Sequence, residues 1–124
     1  MNKDFIDNTL ESFLNCVKNK KLVLFGIYDE LPKAFPLFLD SNNIKPAYIV
    51  DNDYQNWYSH VCGCKVYEPA ILKEESPGKI VVLITSIFPF RIKEQLERLG
   101  VVHYYSSVLL IEPRIGKQQL RVRF

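Results

Sequence analysis

Residues 79–105, KIVVLITSIFPFRIKEQLERLGVVHYY, contain the reading that decides the fold. From Lys79 to Thr85 the apolar side chains follow one another without polar alternation, as they do in a strand buried on both faces of a parallel sheet. Phe90 to Leu99 is amphipathic with helical period, and Gly100 stands where helices often end in a left-handed turn. Val101 to Tyr105 is apolar and aromatic again, so the stretch reads strand, helix, strand.

The same alternation extends toward the N-terminus. Leu22-Val23-Leu24-Phe25-Gly26 is a short apolar run closed by glycine and reads as the first strand. Glu30 to Asp40 reads as a helix with Asp29 as N-cap, kinked or delayed by Pro36, which has no N–H to donate. Pro46 to Asp51, PAYIVD, is the second strand, and Gly63 to Tyr67 is a short third. Pro69 opens a short helix through Lys73, because proline at the first helical position lacks only a donor that would be unpaired anyway. Asp4 to Lys18 gathers Phe5, Leu10, Phe13, Leu14 and Val17 on one face of an N-terminal helix. This order predicts an α/β, doubly wound, mainly parallel Rossmann-like sheet of four or five strands with an extra N-terminal helix. The expected divisions are the helix in residues 1–19, the α/β domain in 20–112 and a basic tail in 113–124.

The composition fits one domain. The chain has 124 residues, 48% hydrophobic and 24% charged, which excludes a disordered or collagen-like segment. The net charge of +2 conceals a polarity: Arg114, Lys117, Arg121 and Arg123 lie in the last twelve residues, which hold no acid, so residues 1–112 carry 12 basic against 14 acidic groups. Four charges are too few for a nucleic-acid-binding arm, so no nucleic acid partner is expected. Cys16, Cys62 and Cys64 leave one thiol over in any pairing, which points to a reducing, cytoplasmic setting. No apolar run is long enough for a membrane span, and the acidic N-terminus is unlike a signal peptide.

In parallel sheets of this kind a ligand lies at the carboxyl ends of the strands, where connections leave in opposite directions. That rule selects Gly26, Ile27 and Tyr28 after the first strand, Asp51 and Asn52 after the second, and Thr85 and Ser86 after the strongest one. Asp51 follows Gly26 by 25 positions, near the separation of roughly 20 at which a dinucleotide site places the acid that accepts ribose hydroxyl hydrogen bonds. The glycine fingerprint itself is incomplete. Where G-x-G-x-x-G has its second and third glycines, Tyr28 and Leu31 stand here, and a tyrosine obstructs backbone approach to a pyrophosphate. Asp29 and Glu30 at the following helix start also repel an anion. The standard dinucleotide mode is therefore disfavoured, and the sequence identifies no cofactor beyond the class of nucleotides, such as NAD(P), or nucleotide-sugars.

The order LVLFG, IKPAYIVDND, Trp57, GCKVYEP, IVVLITS and QLERLG resembles the small Rossmann-like domains found with bacterial surface-polysaccharide enzymes. These are the nucleotide-binding domains attached to nucleotide-sugar dehydratases, sugar acetyltransferases and some sugar-linked methyltransferases. The resemblance spans roughly residues 20–105; Gly26 and Asp51 match the family's pattern, whereas Tyr28 and Leu31 depart from it. It implies a nucleotide or nucleotide-sugar site in a module beside a catalytic domain or protein partner. The alternative is a non-catalytic docking domain that keeps the fold and has lost the site, with the N-terminal helix and basic tail meeting the partner.

No reaction is specified, so whether the chain is an enzyme is left open. His60, Cys62 and Cys64 alternate, as ligands on one side of an extended strand would, but a fourth ligand and C-x-x-C spacing are missing, and no metal site is expected. His103 lies within VVHYY, a packing environment, and Ser86 and Ser106 lie in no G-x-S-x-G elbow. Asp51 and Asp53 point to opposite sides if extended and make no acid/base pair. Tyr54, Trp57 and Tyr58 either stack on a ligand or cover the sheet edge, the second being the better expectation.

Overall fold

Every side chain of Ile80–Ile84 is buried, and this strand, β5, pairs in parallel with β1, Lys21–Phe25, over five residues from Lys21↔Ile80 to Phe25↔Ile84. The computed structural model describes residues 8–27, 39–40, 42–61, 63–86 and 88–107. On the far side of β1 lies β2, Tyr48–Val50, and beyond it β4, Cys64–Tyr67. On the far side of β5 lies β6, Tyr104–Ser106. A two-residue strand, β3, His60–Val61, pairs antiparallel with β4 and completes a six-stranded sheet in the order β3-β4-β2-β1-β5-β6. The protein is thus a mixed α/β domain built on a mostly parallel sheet, with six strands where four or five were expected.

Because strand side chains alternate, β1 and β5 supply both faces of the sheet. Leu22, Leu24, Val81 and Leu83 join Ile49, Val66 and Tyr105 on one face, covered by Phe13 of helix α1, Leu10–Val17, and by Leu39. Val23, Phe25, Val82 and Ile84 join Val50 on the other, covered by Leu96 of helix α2, Pro89–Arg98, and by Leu72 of the 3-10 turn Pro69–Glu74. Continuous apolar runs are therefore what the fold needs: each such side chain withdraws its area from water at about 1.5–3 kcal/mol.

The helix ends are chemically defined. Thr9 caps α1, its hydroxyl accepting the Ser12 N–H at 3.1 Å, and residues 1–7, where the expected helix from Asp4 would begin, lie outside the described residues. At the other end of the chain α2 closes as the glycine signal predicts. Gly100 takes φ +89°, its N–H donates to Glu97, and the Val101 N–H donates to Leu96. Val101 is thereby held as a buried extension of the helix, which is why β6 begins at Tyr104 rather than at Val101. The expected helix over residues 30–40 lies almost wholly outside the described residues; only 39–40 are helical there. No helix among the described residues is long and apolar enough to cross a membrane.

Three polar ties fix the periphery. Asn8 donates its side-chain N–H to the Ser106 carbonyl at 3.3 Å and accepts the Ser106 N–H at 2.8 Å. Ser12 and Tyr105 share a hydroxyl hydrogen bond of 2.6 Å where Phe13 meets the Tyr105 ring edge-on. Glu75 accepts from the Tyr48 hydroxyl at 2.6 Å and from Lys21 Nζ at 3.0 Å, holding the turn after Pro69–Glu74 to the amino ends of β1 and β2.

The Glu75 tie and the half-buried His103 set the pH dependence. The Tyr48 hydrogen bond and the Lys21 ammonium lower the pKa of Glu75, so its stabilisation is present above the unfolded value of 4.5 and is lost as pH falls through the folded value. Burial, assisted by the neighbouring Lys20 charge, lowers the pKa of His103, so protonation below 6.5 opposes the fold. Burial, and then the bond to Glu75, raises the pKa of Tyr48, so stability is lost again above 10.0. Urea midpoints across pH should therefore decline on both sides of neutrality, and Tyr48→Phe should weaken the alkaline decline. In the core, Leu96→Ala should lower the unfolding free energy by about 2–5 kcal/mol in the same assay, against about 0.5 kcal/mol or less for exposed Val102→Ala.

Candidate functional site

Strand order reverses between β1 and β5: the chain leaves β1 for β2 on one side and β5 for β6 on the other. In parallel sheets a ligand is expected at such a reversal, beside the carboxyl ends of the strands. The structure brings Gly26 and Thr85 together there. Gly26 takes φ +121°, donates its N–H to the Val50 carbonyl at 2.9 Å, and has no room for a Cβ, which would collide with Thr85 Oγ1. Thr85 is fully buried and donates both its N–H, at 3.0 Å, and its hydroxyl, at 2.9 Å, to the Phe25 carbonyl. Its side chain thus supports the turn at Gly26 from beneath. Ile27 packs, half-buried, against the apolar face that holds Phe13, and Tyr28 lies outside the described residues.

Asp51 stands one strand away, at the carboxyl end of β2, half-buried. One carboxylate oxygen, Oδ1, accepts the Asp53 N–H at 2.8 Å in an Asx turn, and Asp53 in turn accepts the Gln55 N–H at 3.0 Å. The Trp57 indole N–H donates to the Asp51 carbonyl at 2.7 Å. Asp51 and Asp53 are consecutive turn acceptors, so their side chains organise the backbone of this loop instead of acting as a pair.

The aromatic residues of the loop divide. Trp57 packs against the core and meets the 69% exposed Tyr54 edge-on, with ring centres 6.5 Å apart. Tyr58 takes φ +68°, donates its N–H to the Val66 carbonyl and lies edge-on to Tyr67, while Lys65 Nζ stands within 6 Å of both ring centres. Tyr58 thus extends the pairing beside β4 with its ring largely exposed, and Tyr54 also faces solvent.

Asn52 and Ser86 do share a cleft, of about 490 Å³, along α2. Asn52 and Gln95 exchange two amide hydrogen bonds of 2.9 and 2.8 Å, tying the loop after β2 to the helix after β5. Ser86 Oγ accepts the Phe88 N–H at 2.9 Å just ahead of α2. Arg91, Glu94 and Arg98 line the same cleft, and sequence reasoning passed over them. Their only signal was a polar stripe on an amphipathic helix, which reads as an ordinary solvated face.

The β3–β4 hairpin separates the other candidates. His60 is exposed and faces Lys65, while Cys64 is buried with its thiol toward the Pro46 carbonyl, and Cys62 lies outside the described residues. The chain reverses at Gly63, so the alternation in sequence does not continue along one strand. Among the described residues no group of three His, Cys, Asp or Glu side chains is placed to hold a metal ion. No family model matches the chain, and no curated protein matches it.

Gly26→Ala should destabilise the protein through both its positive φ and the collision with Thr85. Thr85→Ala should relieve the collision but not the backbone strain. A urea-denaturation cycle of both single variants and the double variant should accordingly show a favourable coupling of about 0.5–3 kcal/mol; additive effects would mean that the two side chains do not meet.

Proposed function

We propose that this chain is a Rossmann-like module that binds a nucleotide or nucleotide-sugar and acts in the cytoplasm beside a carbohydrate-modifying enzyme of surface-polysaccharide synthesis. The observation that carries the reading is Asp51: a carboxylate at the end of β2, the strand beside β1, where the strand order reverses toward β5, held by the Asp53 N–H on one oxygen. A carboxylate there accepts hydrogen bonds from two ribose hydroxyls. Supporting it are the parallel order β4-β2-β1-β5-β6, helices on both faces of the sheet, and a positive-φ glycine at the first strand's end. Tyr54 offers an exposed aromatic face close to the loop for a base or sugar. Gly26, Ile27 and Ser86 would border the ligand with Tyr28 and Asn52, and Thr85 would act through Gly26.

One observation favours a second reading, a docking domain without a ligand. The conformation of Gly26 is accounted for by its fit over Thr85, with no need for phosphate approach. The 71% exposed Phe88 ahead of α2 offers an apolar contact for such a partner.

A thermal-shift panel of NAD, NADP, UDP-sugars, CDP-sugars and S-adenosylmethionine separates the two. A true ligand at 100 times its dissociation constant should stabilise the fold by about 2.7 kcal/mol, and Asp51→Asn should remove most of that gain. A panel that leaves the melting temperature unmoved would transfer the assignment to the docking reading, and a shift indifferent to Asp51→Asn would refute the site at Asp51.

A further inference from the structure

Arg91, Gln95 and Arg98 are spaced i, i+4, i+7 along α2, so one helix face presents a guanidinium, an amide and a second guanidinium in a row, all lining the same cleft. The central group is fixed by its double hydrogen bond to Asn52. The flanking arginines are both exposed and make no hydrogen bond or ion pair among the described residues. Lys93, by contrast, is engaged with Glu97 at 3.1 Å. Glu94, one turn from each arginine, forms an ion pair with neither, so the cleft keeps a net charge of +1.

We infer that this cleft is a phosphate site, with Arg91 and Arg98 gripping the anion from either side of the Asn52–Gln95 bridge. An arginine fork matches two phosphate oxygens at once. The two residues are separated by an axial rise of about 10.5 Å, within reach of one diphosphate from both sides. Ser86 adds a donor: its oxygen accepts the Phe88 N–H, which leaves the hydroxyl hydrogen for a ligand oxygen. The alternative location for the anion, the loop after β1, is followed by Asp29 and Glu30, which repel it. Naming the ligand as a nucleoside diphosphate ester, with its ribose at Asp51, rests on the reading proposed above; the anion site itself does not.

The test is calorimetric titration of the full chain at low salt with inorganic pyrophosphate, and separately with uridine, each variant first checked for native circular dichroism. Pyrophosphate affinity should fall at least about tenfold in the Arg91→Gln/Arg98→Gln double variant. It should rise in Glu94→Gln, and stay unchanged in Lys73→Gln/Lys79→Gln, which removes two exposed charges elsewhere. Pyrophosphate bound equally well without the arginines, weakened as much by the lysine control, or not bound by the native chain at millimolar concentration would overturn the site. Arginine-dependent pyrophosphate binding without Asp51-dependent uridine binding would uphold the phosphate site and refute the ribose reading.

Discussion

The structure depends on the parallel register of β1 against β5. Along these five residue pairs only Lys21 is exposed, so two neighbouring strands contribute to both apolar faces at once. Such strands have a weakness: a shift by one residue exchanges one apolar face for another, and burial alone discriminates poorly between the registers. The ends supply what the middle lacks. Lys21 is tied to Glu75 at the amino end, and Gly26 closes over the Thr85 hydroxyl at the carboxyl end. A slipped pairing would bring a Cβ against that hydroxyl or strand the lysine, so the polar ends select the register that the apolar centre stabilises.

The same pairing determines what the carboxyl end can do. Parallel strands require crossovers, and those from β1 and β5 lead to opposite sides of the sheet. The described segments at the carboxyl ends are braced by short, local bonds: the Asx turn of Asp51, the indole bond of Trp57 and the double amide bridge from Asn52 to α2. Beside these braced groups stand Arg91 and Arg98, exposed on the neighbouring helix and making no hydrogen bond or ion pair among the described residues.

Much of this was legible from sequence where one physical requirement dominates. The uninterrupted runs of β1, β2 and β5 signal burial on both faces, and Gly100 marks the end of α2 because few other residues accept its conformation. Asp51 could be placed because strand ends in parallel sheets are predictable positions. Legibility failed where the decisive partner is distant. The two-residue β3 depends on the positive φ of Tyr58 and on pairing to β4, and neither has a periodic signature. Val101 looks like strand and is instead the apolar clasp of the helix end. Thr85 looked like a residue facing a ligand, yet its burial follows from the missing side chain of Gly26, 59 positions earlier. The arginines of α2 were hidden in a pattern shared by any solvated helix.

The bond pair between Asn8 and Ser106 has a consequence for self-association. The Val82 N–H donates to the His103 carbonyl, so in β6 it is the backbone groups of Tyr104 and Ser106 that face away from the sheet. Outward N–H and C=O groups are a template for strand addition by another molecule. The carboxamide of Asn8 occupies both outward groups of Ser106, imitating a single residue of a neighbouring strand. A further strand could pair at that position only by displacing Asn8, so a residue 98 positions away guards the outward groups of Ser106.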